Sequence, residues 1–247
     1  MGVKDIFSKV SCFILSVKTF KERIESVNRQ LAPLGIPYQF IFKHDVTDFA
    51  SDPLPVSFRK PLVLTLPEQS IVGKHVEAWQ QGLNSGQEYA LVLEDDAILD
   101  PFFIQKLEKI LSEIEALTPG FLVNLGGANS RVPQELYRDK NFFYRFRMET
   151  SEGYISDRLA MERRLSWLRE NLVDRSADHM IRHIDAQVGT DHWWPKEAIV
   201  EQGSLFGAFE SSLDKGRASR IPSLLKLSYE SKKFRRRTLK RWIANVL

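Results

Sequence analysis

The chain contains one cysteine and no hydrophobic run long enough to cross a membrane. Cys12 is the only cysteine among 247 residues, so a disulfide within the chain is excluded, and a reducing compartment is permitted. No segment approaches the roughly 20 consecutive apolar residues that a transmembrane helix needs, and the N-terminal residues lack a signal-peptide pattern. We therefore expect the protein to stay in the compartment where it is made, with Cys12 as a small residue of the core.

Excess positive charge is confined to the C-terminal end of the chain. The formal net charge is +3, but residues 232–247 contain seven lysines and arginines and no acidic residue. The preceding part therefore has 28 basic against 32 acidic residues, a net charge of −4. An acidic body argues against a surface built for nucleic acid, so no nucleic-acid partner is expected.

Short apolar runs alternate with segments of helical periodicity in the first half of the chain. Tyr89 to Leu93 is an uninterrupted apolar run, as expected of a strand buried on both faces of a parallel sheet. We predict strands at 11–17, 38–42, 89–93 and 121–125, helices at 20–31, 71–79 and 100–117, and, from a weaker signal, helices at 156–173 and 177–188 and a strand at 198–201. Asp100 is the expected N-cap of the third helix, with Pro101 at its first position. The alternation predicts an α/β fold with a largely parallel sheet.

Three consecutive acidic residues, Glu94, Asp95 and Asp96, follow the most strongly predicted buried strand. Ligands of open α/β sheets bind beyond the carboxyl ends of strands, so this triplet is the first candidate for a functional site. Clustered carboxylates repel one another and are stabilised by a divalent cation, and their oxygens suit Mg²⁺ or Mn²⁺. A cation held there could bind a diphosphate and offset the charge of a leaving group. The alternative is a solvated acidic turn before the next helix.

The run from Ala90 to Leu99 resembles the acidic motif of glycosyltransferase family 25, the lipooligosaccharide-type galactosyltransferases. Further similar segments follow in the order of that family, between about Ser11 and Leu213. They are Ser16–Arg23, Leu34–Asp45, Leu64–Trp79, Glu152–Arg158, Asp178–His179, Val200–Gln202 and Ser211–Ser212. No single motif is specific, so the resemblance depends on their order and spacing.

The resemblance implies a GT-A-like fold over residues 1–222, with a nucleotide-sugar half at about 1–127 and an acceptor half at about 128–222. A basic amphipathic tail would follow at 223–247. The implied reaction is an inverting, metal-dependent transfer of a hexose, with galactose expected, from a UDP-sugar to a lipooligosaccharide or a related bacterial surface glycan. The expected cofactors are Mn²⁺ or Mg²⁺ and a UDP-galactose donor.

The resemblance also assigns expected roles to individual residues. The residues expected to contact the donor are Ser16, Arg23, His75, Glu94, Asp95 and Asp96. Asp96 and Glu94 would hold the cation, and His179 would either complete the metal site or contact the acceptor. The residues expected to contact the substrate are Gly126, Gly127, Tyr154, Gln202 and Ser211. An inverting transfer needs one general base, for which Asp178 is the first candidate and Glu210 the second. Asp178 could equally be the N-cap of the helix that follows it.

Three further patterns have a structural and a functional interpretation. His179 and His183 have the spacing of a helical zinc site, but a methionine stands where a His-Glu-x-x-His motif has its glutamate. His75 lies on a predicted helical face, where a hydrogen-bonded, half-buried histidine is the more common outcome. Trp193 and Trp194 could form a platform for a sugar ring, although tryptophans more often contribute to a core.

The tail combines an apolar face with positive charge. Leu239, Trp242, Ile243 and Val246 recur at helical spacing among the seven basic residues. Such a segment suits an anionic membrane surface, so we expect a cytoplasmic, peripheral location on the inner face of the bacterial inner membrane. The alternatives are a solvated helix packed on the body or a nucleic-acid contact. Two rival functions also stay open: a non-catalytic relative that binds nucleotide sugar or glycan, and a nucleic-acid adaptor.

Overall fold

The computed structural model describes residues 7–127, 130–138, 141–147, 150–209 and 222–246. The strands are β1 Val10–Leu15, β2 Gln39–Ile41, β3 Tyr89–Glu94, β4 Ala97–Leu99, β5 Phe121–Asn124, β6 Phe143–Arg145, β7 Gly153–Asp157, β8 Asp191–Pro195 and β9 Val200–Gln202. Seven of them form a central sheet in the order β2-β1-β3-β7-β5-β8-β6, and β4 pairs with β9 in a small second sheet.

Most strands of the central sheet run in one direction. β1 is parallel to both β2 and β3, and β5 is parallel to β8. β7 lies between β3 and β5 and is antiparallel to both, while β6 is antiparallel to β8 at the sheet edge. The predicted α/β class with a largely parallel sheet is therefore confirmed. The two antiparallel strands were not predicted.

Helices cover both faces of the sheet. They are α1 Lys21–Leu31, α2 Leu66–Asn84, α3 Phe103–Ile114, α4 Arg158–Glu170 and α5 Ala177–Gln187, and the tail forms α6 Pro222–Lys233, a π-helical segment Phe234–Leu239 and α7 Lys240–Val246. α2 begins with a capping box, in which Thr65 and Glu68 bond each other's backbone N–H groups. No helix in the described ranges is long and apolar enough to cross a membrane.

The alternation of side chains along β1 separates two apolar cores. Cys12 and Ile14 pack on the side that is covered by α1 and α3. Phe13 and Leu15 pack on the other side, together with Trp79 of α2 and apolar residues of α4 and α5. The result is a three-layer arrangement of helices, sheet and helices. Cys12 is buried in the core, as predicted.

The predicted starts of the helices at 100–117 and 156–173 are wrong. α3 begins at Phe103, because Asp100 instead accepts the N–H of Phe102 at 2.8 Å and forms a turn before the helix. The helix predicted from Ser156 begins only at Arg158, because Ser156 is fully buried within β7. Asp157 ends that strand, and its side chain caps α4. The segment before α4 is therefore a central strand, and this brings its preceding residues to the edge where β3 ends.

Candidate active site

The acidic triplet lies at the carboxyl edge of the parallel strands. The register of β1 with β3 places Ser16 and Asp95 just beyond two neighbouring strand ends. The antiparallel β7 starts at this edge, so Glu152 also lies there, and its carbonyl accepts the N–H of Glu94 at 3.0 Å. Four carboxylates are thus brought together where α/β proteins bind their ligands.

Asp95 is engaged by the first strand-to-helix turn. Ser16 Oγ donates to Asp95 Oδ2 at 2.8 Å, and Arg23 Nη1 donates to Oδ1 at 2.7 Å. Both members of this ion pair are largely buried, with 13% of the Arg23 side chain and 7% of the Asp95 side chain exposed. Because both of its oxygens accept hydrogen bonds, Asp95 orients Arg23 and offers little to a further ligand.

Asp96 is buried beneath the segment that follows β9. Its Oδ2 accepts the N–H of Ser204 at 3.3 Å, and its carbonyl accepts the N–H of Gly203 at 2.8 Å. Oδ1 is buried and has no hydrogen-bond partner in the part of the chain that the structure describes. Burial raises the pKa of the Asp96 carboxyl. An unsatisfied buried oxygen of this kind is costly, and a bound cation would compensate it.

Glu94 and Glu152 complete the cluster. Ser151 Oγ donates to Glu94 Oε1 at 2.7 Å, and the N–H of Gly127 donates to Glu152 Oε1 at 2.5 Å. Burial, followed by repulsion from Asp96, raises the pKa of Glu94 to about 8. Burial raises the pKa of Glu152 to about 7. Carboxyl groups that titrate near neutrality are typical of functional sites.

A cavity of about 320 Å³ lies beside the end of β1 and is termed the β1 cavity. It is bordered by four of the residues predicted for the donor: Ser16, Arg23, Glu94 and Asp95. Asp45 and Lys74 also border it and were missed as site residues. Lys74 is 2% exposed and its Nζ donates to Asp45 Oδ1 at 2.5 Å, while the N–H of Lys18 donates to Oδ2 at 3.2 Å. The sequence does contain one indication of this pair, because Lys74 is a charged residue within the apolar face of α2.

A second cavity of about 390 Å³, termed the α5 cavity, adjoins the first. Its polar lining includes Glu94, Gly127, Ser151, Glu152, Asp178, Gln202, Tyr229 and Arg236. Glu94 and Ile71 border both cavities, so the two spaces meet at the carboxylate cluster. Tyr229 and Arg236 belong to the tail, and no pattern in the sequence indicated that the tail reaches this site.

Asp178 lies in the first turn of α5. The N-cap of this helix is Ser176, so the alternative prediction of Asp178 as the N-cap is wrong. Asp178 Oδ1 accepts two hydrogen bonds, one from the Ser176 hydroxyl at 2.8 Å and one from the backbone N–H of His179 at 2.9 Å. The carboxylate therefore has a fixed position at the helix N-terminus, where the helix dipole favours negative charge.

His75 and Tyr154 lie behind the site, within the core. They are 0% and 1% exposed, and neither borders the β1 cavity or the α5 cavity. His75 Nδ1 is 2.9 Å from the Tyr154 hydroxyl, which also accepts Trp79 Nε1–H at 2.8 Å. Burial lowers the pKa of His75 to about 3. This histidine is therefore fully buried and neutral, and the half-buried position predicted for it is wrong.

The remaining residues that were predicted for the site lie in different environments. His179 is exposed on α5 and borders neither cavity. Glu210 and Ser211 lie outside the described residues. Gly126 lies beside Glu152, whose carboxylate would overlap with a Cβ at this position, so glycine permits the close approach. Trp194 is fully buried and its Nε1 donates to the Gly126 carbonyl at 2.7 Å, which identifies it as a core residue.

The carboxylates fit a divalent cation that shares its coordination with a ligand. Across the described ranges, no group of three His, Cys, Asp or Glu residues is arranged to hold a metal. Asp96 and Glu94 are two carboxylates at one strand end, and Asp96 Oδ1 is a buried oxygen with no partner in the described part of the chain. Mg²⁺ commonly binds through one or two carboxylates and completes its shell with phosphate oxygens and water. These two residues fit that kind of site.

A mixed α/β fold with carboxylates and two adjoining cavities at the strand ends defines a ligand-binding α/β protein. The family model of glycosyltransferase family 25 (LPS biosynthesis protein) matches residues 10–161, and the chain belongs to this family. The resemblance to this family is thereby confirmed. The chain is a glycosyltransferase of a lipopolysaccharide biosynthesis family, with a sugar donor and a glycan acceptor as partners.

Two solved structures are similar to the chain. Mannose-1-phosphate geranyltransferase from Thermus thermophilus shares 16% identity over 87% of this chain and 80% of that chain, with a TM-score of 0.46. A197 from STIV shares 12% identity over 78% of this chain and 83% of that chain, with a TM-score of 0.43. A comparison with curated proteins gives no match.

The raised pKa of Glu152 predicts a stability that falls with pH. Its carboxyl has a pKa of about 7 in the folded chain, against an ordinary value of 4.5. Between these values the folded state binds more protons than the unfolded state, so this group destabilises the fold as pH rises. Glu152→Gln should match the wild type near pH 4.5 and exceed its free energy of unfolding by roughly 3 kcal/mol at pH 8 without added cation.

Denaturant unfolding of both proteins at the two pH values measures this difference. The control is Glu170→Gln, because Glu170 is exposed on α4. The difference in free energy of unfolding between this variant and the wild type should not depend on pH. A pH-independent difference between Glu152→Gln and the wild type would contradict the prediction.

Proposed function

We propose that the chain transfers a hexose, with galactose the expected sugar, from a UDP-sugar to a lipooligosaccharide or a related bacterial surface glycan. The observation that carries this proposal is that the β1 cavity and the α5 cavity meet at Glu94 and Ile71. Two ligands can therefore lie on either side of one carboxylate cluster, as the transfer of a group between them requires.

The β1 cavity is proposed as the donor site. Arg23 borders it with a guanidinium that Asp95 holds in place, and such a fixed positive charge suits a diphosphate. Asp96 and Glu94 are the residues that would hold Mn²⁺ or Mg²⁺. When bound, the cation would offset the negative charge that develops on the departing UDP. Ser16 contributes by fixing Asp95 and, through it, Arg23.

The α5 cavity is proposed as the acceptor site, with Asp178 as the general base. In an inverting transfer, Asp178 takes the proton of the acceptor hydroxyl as its oxygen bonds to the sugar C1 and the bond from C1 to the UDP oxygen breaks. Asp178 borders this cavity with a carboxylate fixed by two hydrogen bonds. Gly127 and Gln202 border the same cavity and are proposed to contact the substrate. Glu210 is retained as the second candidate base.

A screen of sugar nucleotides tests the proposed reaction. The full chain is incubated with UDP-galactose, UDP-glucose or UDP-N-acetylglucosamine, and UDP release is measured with Mn²⁺, with Mg²⁺ or with a chelator. Release should be fastest with UDP-galactose, should increase with an oligosaccharide acceptor and should stop on chelation. Cation-dependent UDP binding without release from any donor would instead indicate a non-catalytic relative.

The tail is proposed to hold the enzyme on the inner face of the bacterial inner membrane. Lys232, Arg235 and Lys240 are exposed, and Phe234 and Trp242 beside them are 56% and 62% exposed. Positive charge next to exposed apolar side chains suits an anionic interface. Replacing the three cations by glutamine should reduce retention on anionic vesicles about a hundredfold at low salt, at about 1 kcal/mol for each charge. Co-sedimentation measures this; equal retention of variant and wild type would refute it.

A further inference from the structure

The turn that follows β2 contains an unusual backbone conformation. His44 has a φ of 61°, and in the described ranges it is the only residue other than glycine with a positive φ. This left-handed region disfavours residues that have a Cβ. Residues held in it cluster at functional sites, where the surrounding contacts compensate the strain. The next residue, Asp45, borders the β1 cavity, so the unusual conformation lies at the wall of the proposed donor site.

Contacts with α2 and with the segment after the turn hold His44 in this conformation. Its N–H donates to Asp52 Oδ2 at 2.5 Å, and its carbonyl accepts the hydroxyl of Ser70 at 2.6 Å. The ring is buried, with Nδ1 3.4 Å from Asp52 Oδ2 and Nε2 3.6 Å from Glu77 Oε2. Gly73 lets α2 come close, because a Cβ there would lie 3.2 Å from His44 Cβ. Both backbone polar groups of His44 are therefore fixed by side chains.

Asp45 follows the left-handed residue and is held at the wall of the β1 cavity. It is 3% exposed, its Oδ1 accepts Lys74 Nζ at 2.5 Å, and its Oδ2 accepts the backbone N–H of Lys18 at 3.2 Å. Lys74 Nζ also donates at 2.7 Å to the carbonyl of Lys43, the residue before His44. Rotation about φ of His44 swings all of the chain that follows it. A different φ would therefore move Asp45 away from Lys74 and Lys18.

The hydrogen bonds of Asp45 and Lys74 indicate which kind of ligand group can bind here. A carboxylate can accept about four hydrogen bonds, and Asp45 accepts two from the described residues. The three N–H donors of Lys74 are matched by Asp45 Oδ1 and by the carbonyls of Lys43 and Ile41. The pair thus offers acceptors to the β1 cavity. A hydroxyl or an N–H group fits such a wall, whereas an unprotonated phosphate oxygen does not.

We propose that His44 is a positioning residue of the donor site, because its left-handed conformation places the Asp45 carboxylate where it accepts a hydroxyl or an N–H of the sugar nucleotide. The inference rests on the proposed function, in which the β1 cavity holds the donor. His44 does not border this cavity, so it acts through Asp45. Arg23, on the same cavity, suits the diphosphate, which leaves an uncharged part of the donor for Asp45.

Two replacements of His44 separate the backbone conformation from the ring. Asparagine tolerates the left-handed region and the β-branched valine does not, but both remove the imidazole. The full chain is titrated calorimetrically with UDP-galactose and Mn²⁺, without an acceptor. His44→Asn should bind within about twofold of the wild type, and His44→Val should bind about tenfold more weakly. Equal losses in both variants would show that only the ring matters and would overturn the inference.

A double variant tests whether His44 acts through Asp45. Asp45→Asn alone should weaken binding about tenfold, and adding His44→Val should cause no further loss, because both changes remove the same contact. Losses that multiply to about a hundredfold would contradict the inference. The control is Lys43→Gln, because Lys43 lies in the same turn and pairs with Glu77 at 2.9 Å but does not border the β1 cavity. It should bind as the wild type does.

Melting temperatures show whether each variant is folded. His44→Ala is a smaller change of the same kind, since alanine also disfavours the left-handed region, and it replaces His44→Val if that variant does not fold. Its affinity should then lie between those of the wild type and Asp45→Asn, and the double variant with Asp45→Asn should again show no further loss.

Titration with UDP identifies the part of the donor that Asp45 binds. UDP and UDP-galactose share the nucleoside, so a contact with the nucleoside predicts the same loss for both ligands. A contact with the hexose predicts a loss for UDP-galactose only. Equal affinity of His44→Val and the wild type for UDP-galactose would overturn this inference alone. No binding of either ligand by the wild type would overturn the proposed donor site together with it.

Discussion

Replacing Asp96 by asparagine is expected to abolish hexose transfer and to leave the fold intact. Asp96 Oδ1 is buried and has no hydrogen-bond partner among the described residues, and Asp96 is only 2% exposed. Asparagine keeps an acceptor for the N–H of Ser204 but removes the charge that would bind a cation. Turnover should therefore fall by a factor of about a thousand or more. Cation-dependent UDP release measures the loss of transfer, and the melting temperature of the same sample shows whether the fold is intact.

Two further aspartates serve as comparisons for this variant. Asp191→Asn removes a surface ion pair with Arg145 at the start of β8 and should leave turnover near that of the wild type. Asp95→Asn should be milder than Asp96→Asn, because it loosens Arg23 without removing the unpartnered oxygen. Wild-type turnover that survives thorough chelation, or normal turnover of Asp96→Asn, would contradict the assignment.

Asp178→Asn is expected to lower turnover about a hundredfold or more while the affinity for UDP stays nearly constant. The base acts on the acceptor hydroxyl in the transition state, so its loss should reduce kcat and kcat/KM together. A purely structural role would give another result. Asp178 lies in the first turn of α5, and removal of its charge from the helix N-terminus would cost only about 0.3–1 kcal/mol of stability. Turnover, UDP affinity and melting temperature together separate the two roles.

Asp174→Asn is the control for this change. Asp174 lies just before α5, accepts a hydrogen bond from Arg175 and does not border the α5 cavity. Its replacement should leave turnover nearly normal. If Asp178→Asn behaves in the same way, the base must be sought among the other acids, with Glu210 and Glu152 as the next candidates.

The first half of the fold was predictable because its elements are determined locally. β1, α1 and β3 have uninterrupted apolar runs or clear helical periodicity, and each was predicted within a few residues. β7 was missed because its polar end, Ser156 and Asp157, resembles the start of the helix that follows. Only pairing with β3 and β5 on both sides makes this segment a central strand. Strand pairing of this kind depends on distant residues, and one sequence does not reveal it.

The candidate site was predictable in part for the same reason. Four predicted residues border the β1 cavity because they lie at or soon after strand ends that the sequence marks clearly. Glu94 ends β3, Ser16 and Asp95 come directly after β1 and β3, and Arg23 lies in the first turn of α1. His75 was predicted to contact the donor, yet the tertiary structure encloses it in the core. A helical pattern identifies the buried face of a helix, but it does not tell how completely the sheet and the neighbouring helices cover that face.

By itself, the sequence determined the α/β class, the acidic strand end and the membership of glycosyltransferase family 25, because these depend on local patterns and their order. The tertiary structure alone decided three other features: that Glu152 joins the triplet, that Asp178 and Gln202 border one cavity, and that the basic tail folds onto the body. These features depend on which distant segments pack together. Packing is decided by the whole chain at once, since the burial of one segment depends on the segments that cover it.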